Sequence, residues 1–362
     1  MRNKGYEAWK LKLKQAGKQR RVPVSGQFEL TPRCNFDCKM CYVHNQDSNA
    51  MKARELSTEQ WKNIFDQACE AGMLFATLTG GECLLREDFK ELYLHLWNKR
   101  IFVTIMTNGY LLDDAYVEFF KKYQPDQIRV TLYGSSEEGY RNVTGHSGFA
   151  KVVGNLKKIQ DADIDLRVTV TPNKPGAADL VDTVKFARDN GFAAEVAEMV
   201  LISKRDDPAS VEHFLSADEI VDLSVRIKQL SGEVIPVENT PEPCGTCTEA
   251  PSGFTCNAGR GVVYVIWDGT MHPCTNAMMG DGASLLEMSF EEAWEKTKAA
   301  ADSVLLAMEC VGCAYAKVCP KCPGMRVSNW ESGHCNPAIC EMTRRLVAAG
   351  VKKLDLAEEI SE

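Results

Sequence analysis

The sequence has no apolar run approaching the ~18–20 residues needed to cross a bilayer. Its first 21 residues carry eight Lys or Arg and one Glu, with no apolar stretch resembling a secretory signal. These absences lead us to expect a cytoplasmic protein with no membrane contact. Positive charge is also short, with 42 Lys+Arg against 50 Asp+Glu and a net charge of −8. That balance disfavours broad binding to nucleic acid or anionic lipid, which needs concentrated cations. There is no internal repeat and no low-complexity tract, so a solenoid or a largely disordered chain is excluded. What remains is ordinary globular composition, 44% hydrophobic and 25% charged, over 362 residues. Such a length suggests two or three domains at ~150 residues each.

Cysteine is what the chain has in excess, with 15 in all. In a long chain without an export signal these read as metal ligands or redox thiols, not as disulfides. They are also unevenly placed. Cys34, Cys38 and Cys41 form one cluster, Cys69 and Cys83 stand alone, none occurs from there to Cys244, and ten fall between Cys244 and Cys340. The gap separates a long body from a thiol-rich tail.

The body alternates strand-like and helix-like stretches. Apolar or β-branched runs at Phe28–Leu30, Ala76–Thr79, Phe102–Met106, Ile128–Tyr133, Leu166–Thr171 and Ala194–Leu201 predict six strands. Ser57 with Gln60 forms a capping-box pattern ahead of an apolar face of Trp61, Ile64, Phe65 and Ala68, and Gly72 ends that helix. Ser216 with Glu219 opens another helix, carrying Ile220, Leu223, Ile227 and Leu230. Alternation at this spacing predicts an α/β fold of parallel strands joined by crossover helices. Six units are too few for an eightfold barrel, so a partial, TIM-like (β/α)6 barrel is expected, with its chemistry at the C-terminal ends of the strands. The basic N-terminal segment, 1–26, fits a solvated helix better than a docking site for an acidic peptide. The body spans 27–232, Asn239–Pro243 lies in a linker (233–243), the tail domain spans 244–345, and 346–362 follow it.

Directly after the first strand comes Cys34-Asn-Phe-Asp-Cys38-Lys-Met-Cys41. This spacing gathers three thiolates in one compact loop. Structural zinc takes four ligands, and the only nearby fourth, His44, is cramped against Cys41. An iron–sulfur cluster held by three cysteines leaves one iron open. The CxxxCxxC loop after the first strand of a partial barrel resembles the radical S-adenosylmethionine (SAM) superfamily. The resemblance implies that the three cysteines hold a 4Fe–4S cluster whose fourth iron is chelated by the amino and carboxylate groups of SAM. Reductive cleavage of SAM then yields a 5′-deoxyadenosyl radical that removes a hydrogen atom from substrate.

Further motifs agree with it. Gly80-Gly81-Glu82, at the end of the second strand, is similar to the family's motif for the SAM amino group; the glycines allow close backbone approach and Glu82 can accept from an ammonium. Thr107-Asn108-Gly109 ends the third strand and Thr131-Leu-Tyr-Gly134 the fourth, where relatives line the SAM pocket. Thr131 matches a hydroxyl position near the SAM carboxylate, and Arg141 and Arg167 are candidate carboxylate or substrate partners, each reading on its own as a surface arginine. Met40, with Tyr42 beside it, falls where an adenine contact is expected, and a thioether packs well on a purine. Cys83 replaces a common proline; it reads as a small buried residue, with an active-site thiol or base as the alternative. Cys69 reads as structural.

In the tail, Val262–Trp267 followed by Asp268-Gly269 is a hairpin signal that would return Cys274 towards Cys256. The pattern resembles the SPASM domain, which implies two auxiliary 4Fe–4S clusters and three clusters in total. By position, Cys256, Cys274, Cys322 and either Cys247 or Cys244 would hold the first. Cys310, Cys313, Cys319 and Cys340 would hold the second, with Cys335 as an alternative. Cys319 and Cys322 are separated by two residues where the common form has three. Paired zinc ribbons could use the same CxxC units.

The combination resembles maturases of ribosomally made peptides or proteins, and implies an oxidative modification, a thioether or carbon–carbon crosslink. Thr275 stands where sulfatase-modifying relatives carry an acidic residue, which disfavours that activity. The stretch before residue 27 is too short for a fused leader-recognition domain, so a separate recognition protein or leader binding by the core itself is expected, with a flavodoxin or ferredoxin as reductant. The alternatives are a radical dehydrogenase of a small molecule and a non-catalytic iron–sulfur carrier.

Overall fold

A computed structural model of the protein describes residues 4–43, 49–197, 212–231, 256–278, 280–304, 313–316, 318–319 and 337–352. The chain divides into two compact units, residues 1–213 with 256–301, and residues 214–255 with 302–362. The expected cysteine-rich domain, 244–345, therefore draws on both.

The first unit is built on one nine-stranded sheet. Its strands are β1 (Ser25–Glu29), β2 (Phe75–Thr79), β3 (Phe102–Thr107), β4 (Gln127–Thr131), β5 (Leu166–Val170), β6 (Ala193–Val196), β7 (Val262–Val265), β8 (Thr270–His272) and β9 (Ala283–Ser284). The order is β6-β5-β4-β3-β2-β1-β7-β8-β9. β1 to β6 are parallel neighbours in chain order. β7 adds to the other side of β1, also parallel, and β8 and β9 follow antiparallel. All six strands expected in the body are present, although the stretch after Ala197 that was to finish the sixth lies outside the described residues. The 262–269 hairpin also forms, and its attachment to β1 is what draws 256–301 into the first unit.

The helices are α1 (Lys4–Arg20), α2 (Asn49–Lys52), α3 (Thr58–Glu70), α4 (Phe89–Asn98), α5 (Asp114–Lys122), α6 (Glu137–Thr144), α7 (Phe149–Asp161), α8 (Leu180–Asp189), α9 (Ala217–Gln229), α10 (Phe290–Ser303) and α11 (Pro337–Ala348). Both capping boxes form, at Ser57 with Gln60 and at Ser216 with Glu219. Trp61, Ile64, Phe65 and Ala68 of α3 are buried, with Phe65 edge-on to Phe28 at 5.0 Å between ring centroids. On α9, by contrast, only Leu223 of the expected apolar face is buried. In the second unit Arg345 of α11 is ion-paired with Asp218 of α9.

Strand periodicity explains where a ligand can go. On one face Phe28, Leu78, Ile105, Ile128, Val130 and Val168 are buried in the core against the helices. The alternate residues, Gln27 and Glu29, Thr77 and Thr79, Thr104 and Met106, Arg129 and Thr131, Arg167 and Thr169, share the opposite face. A packed barrel would fill that face with branched apolar side chains. Here it is mostly polar, which suits a ligand better than a core.

α1 is more than a solvated helix. Trp9 sits edge-on to Phe102 at 5.5 Å, Tyr6 donates to Asp126 at 2.5 Å, and Lys10 reaches the same carboxylate at 3.0 Å. The basic segment thus covers the N-terminal ends of β2 and β3.

Candidate active site

The loop after β1 is stitched to the turn after β2 by backbone. Gly81 N–H donates to the Thr31 carbonyl and Glu82 N–H to the Arg33 carbonyl, both at 2.8 Å. The two glycines are required for this. A Cβ on Gly80 would lie 2.5 Å from the Thr31 oxygen, at a φ of +150° that other residues rarely adopt, and one on Gly81 would lie 2.3 Å from the Arg33 oxygen. Their close approach is therefore to the cysteine loop itself. Gly81→Ala should displace that loop, costing about 1–3 kcal/mol as overpacking typically does, and should lose SAM binding in equilibrium dialysis while the far-UV spectrum stays native.

A buried ion pair fixes the same loop from the other side. Arg33 contacts Glu55 through Nε at 2.6 Å and Nη2 at 3.1 Å, and Thr31 donates to that carboxylate as well. Further along, Asp37 and Lys39 donate backbone N–H groups to the carbonyls of Thr144 and Val143, at 3.1 and 3.0 Å. Phe36 is buried and packs with Tyr110, Tyr140 and His146, with ring centroids 5.6, 6.0 and 4.9 Å away. A flexible-looking stretch of sequence is thus held at both ends and in the middle.

Cys34 is buried, while Cys38 and Cys41 are half-buried. The Cys34 sulfur accepts from Phe36 N–H at 3.4 Å and from the Asn108 amide at 3.9 Å. Burial first, then the Glu82 carboxylate, pushes the Cys34 thiol up to about 12. Burial, followed by Cys41 and Cys34, raises Cys38 well above its ordinary value, against a hydrogen bond from Tyr133. The three sulfurs feel one another's charge, so all three become thiolates at low cost only beside a cation. A bound metal inverts this pKa ordering. Among the described residues, no three His, Cys, Asp or Glu side chains already stand at coordinating spacing. The donor set is nevertheless that of an iron–sulfur cluster, soft thiolates with sulfur-directed N–H groups. His44, the other ligand considered, lies outside the described residues.

Glu82 sits at the centre of a buried hydrogen-bond network. Its carboxylate is fully buried and accepts from Thr107 Oγ1 at 2.8 and 2.9 Å, Asn108 N–H at 2.7 Å and Leu84 N–H at 3.0 Å. The carboxylate braces the ends of β2 and β3. Burial raises its pKa, with hydrogen bonds from Asn108, Leu84, Thr107 and Cys83 opposing the rise. Asn108 extends the brace, donating to Asn35 Oδ1 at 2.8 Å and accepting from Tyr110 N–H at 3.0 Å.

Of the other expected contacts, Met40 is buried beside the loop and Thr131 is half-buried at the end of β4. Tyr42 is half-buried, hydrogen-bonded to Thr79 and close to Glu29. Arg141 is exposed on α6. Cys83 fills a core position: its fully buried thiol donates to the Met106 carbonyl at 3.4 Å and is held well above its ordinary pKa by burial. That placement fits a packing residue. Cys69 is half-buried on α3, its thiol pushed up to about 11 by burial.

The sequence reading missed two groups. Tyr133 bonds Cys38 from the strand-end turn in which only Thr131 drew notice. Glu29, at the end of β1, is buried and accepts from Tyr264 of β7. A lone acid inside a buried parallel strand was the available signal, since unpaired acids are almost never placed there.

In the tail, β7 and β8 return the chain as expected, with Gly259 N–H donating to the Pro273 carbonyl at 3.3 Å. Cys256 accepts from Ala258 N–H at 3.5 Å and Cys274 from Asn276 N–H at 3.3 Å, the same two-residue N–H to sulfur turn as at Cys34. Cys313 and Cys319 are half-buried near one another in sequence, and Cys340 lies within the first turn of α11. Cys244, Cys247, Cys310, Cys322 and Cys335 lie outside the described residues.

A profile of the radical SAM superfamily matches residues 28–187, the span from β1 to α8. The chain carries a radical SAM domain. The domain contains the cysteine loop, the Gly-Gly-Glu turn and Thr107-Asn108 that the geometry joins. The chain is 25% identical over 316 residues to an AdoMet-dependent heme synthase of Methanosarcina barkeri, covering 82% of this chain and 89% of that one. It is 28% identical over 170 residues to the sporulation killing factor maturation protein SkfB of Bacillus subtilis, covering 47% of this chain and 41% of SkfB. The chain thus spans less than half of that relative. In fold it is similar to Streptococcus suis SuiB bound to S-adenosylmethionine, with a TM-score of 0.65 at 16% identity over 94% of this chain and 81% of SuiB. Among the described residues, no helix is long and apolar enough to cross a membrane.

Proposed function

We propose that the protein is a radical SAM enzyme that oxidatively modifies a ribosomally made peptide or protein, and that Cys34, Cys38 and Cys41 hold its catalytic cluster. The observation that carries this reading is the backbone junction between the three-thiol loop and the Gly80-Gly81 turn, inside the matched domain. When bound, the cluster supplies the electron that cleaves SAM to a 5′-deoxyadenosyl radical, which then takes a hydrogen atom from substrate carbon. The chain's own residues have three tasks. The Arg33–Glu55 pair and the α6 carbonyls fix the loop. Glu82, Thr107 and Asn108 fix the strand ends around the cofactor. The C-terminal part of the polar face, at Glu29, Thr79, Thr131 and Thr169, receives substrate away from bulk water.

The cysteine-rich tail supports an oxidative outcome. Cys256, Cys274, Cys322 and Cys244 or Cys247, then Cys310, Cys313, Cys319 and Cys340, offer enough thiolates for two further clusters in a SPASM-type arrangement, and such clusters accept electrons. Cys313→Ala should therefore keep part of the SAM cleavage while product formation falls to background, both read by chromatography of one reaction mixture. Normal product yield from that variant would remove the electron-transfer role of the tail. Analysis for about twelve irons per chain tests the cluster count.

The peptide reading draws on SkfB, named as a maturation protein. The likeness to the heme synthase favours a second substrate class, because it runs over most of both chains. Incubating the reconstituted enzyme, dithionite and SAM with a candidate precursor peptide should give a product about two mass units lighter per bond formed. If only a heme precursor is consumed, the second reading replaces the first.

A further inference from the structure

A cavity of about 400 Å³ lies between α1 and the N-terminal halves of the strands. Its walls include Lys10 and Lys14 of α1, Arg129 of β4 and Arg167 of β5. Arg129 and Arg167 are register partners on adjacent strands, so their guanidiniums enter the same space. This is the opposite end of the sheet from the Cys34 loop and the Gly80-Gly81 turn, which follow the C-terminal ends of β1 and β2. No step of the proposed reaction uses it.

The positive charge there is incompletely answered. Lys10 is paired with Asp126 at 3.0 Å and Glu7 at 3.4 Å. Arg129 and Arg167 share one carboxylate, Glu195, bonded to the first and 3.6 Å from the second. Lys14 lies over the Phe75 ring at 5.1 Å and makes no ion pair within 4.0 Å among the described residues. The walls also contain two buried polar atoms with no hydrogen-bond partner among the described residues, Arg129 Nε and Ser25 Oγ. Buried donors without acceptors are costly, and native structures seldom keep them without a ligand, ion or water to receive them. Burial, then Lys10, lowers the Lys14 pKa, as expected where a cation lacks a close counter-charge. The volume falls in the ~300–1,000 Å³ range of small-molecule pockets.

We propose that this cavity binds a small multivalent oxyanion, a phosphate or a polycarboxylate, held by Lys14, Arg129 and Arg167. Guanidiniums match the planar or tetrahedral oxygens of either group, and the ammonium adds a mobile point charge. Titration calorimetry on the reconstituted full-length protein in chloride buffer tests it, with inorganic phosphate and citrate as separate probes. One saturable site for either anion is expected, weakened at least tenfold by Lys14→Gln and by Arg167→Met. Lys12→Gln, on the exposed face of α1, should bind as the wild type does. Phosphate binding alone, or citrate binding alone, assigns the ligand class. Saturation by neither anion, or binding that ignores Lys14→Gln, overturns the proposal. Lys14 is a half-buried helix residue whose replacement leaves the fold intact, so this variant decides the matter if Arg167→Met does not fold. The readout is independent of SAM cleavage, and a failure here leaves the radical reaction untouched.

Discussion

Cys34→Ala should reduce 5′-deoxyadenosine release from SAM to background. Cys34 is the most enclosed of the three thiols, with two donors already directed at its sulfur. The loop offers no substitute: Asn35 and Asp37 are hard ligands, poorly matched to iron–sulfur chemistry. Outer-shell substitutions around metals commonly cost ~10–100-fold in affinity or activity, and removing a ligand itself should cost more. The variant should still fold, because the backbone bonds of Thr31, Arg33, Asp37 and Lys39 do not involve the thiol. Iron content should drop by about one cluster, that is, about four irons. Full cleavage activity in this variant would move the catalytic cluster elsewhere.

Glu82→Ala should be the most destabilising single change in the site. It leaves the Asn108 and Leu84 N–H groups and the Thr107 hydroxyl buried without an acceptor. Each such group costs ~1–3 kcal/mol, so a total of about 3–5 kcal/mol is expected, at the upper end of point-mutant effects. At ~2–4 °C per kcal/mol for domains of this size, the melting temperature should fall by about 10 °C. Thr107→Val removes one donor and leaves the others in place, and should cost only about 1–2 kcal/mol. The pH dependence has a definite sign. Burial raises the Glu82 pKa, so the native state holds that proton more tightly than the unfolded chain does. Its contribution is greatest at acid pH and declines as pH rises from the unfolded carboxylate value through the raised native one. That slope should vanish in Glu82→Ala, as measured by thermal melts across pH.

The body of the fold was legible because its signals are local. Runs of β-branched residues marked six strands, and Ser57 with Gln60 marked the start of α3 from a four-residue window. The cysteine spacing and the Gly80-Gly81 pair likewise sit within short segments. What escaped the sequence is long-range. That β7 would run parallel to β1 depends on an edge 235 residues away from Tyr264, the separation across which Tyr264 meets Glu29. The motif marked Glu82 as a ligand contact, and only the fold shows that Thr107 and Asn108 also donate to its carboxylate. The basic composition of α1 suggested solvent, whereas Tyr6 and Trp9, three residues apart, mark the face that docks. In the tail, the hairpin at 262–269 was again local, following from Asp268-Gly269.

The central claim is that the loop of Cys34, Cys38 and Cys41 presents an iron site to SAM. Electron paramagnetic resonance of the dithionite-reduced, reconstituted protein addresses it directly, with SAM present and absent. The account predicts a cluster signal whose g values move when SAM is added, and the loss of that SAM-responsive signal in Cys34→Ala. A reduced spectrum indifferent to SAM, or zinc in place of iron at the loop, would contradict it.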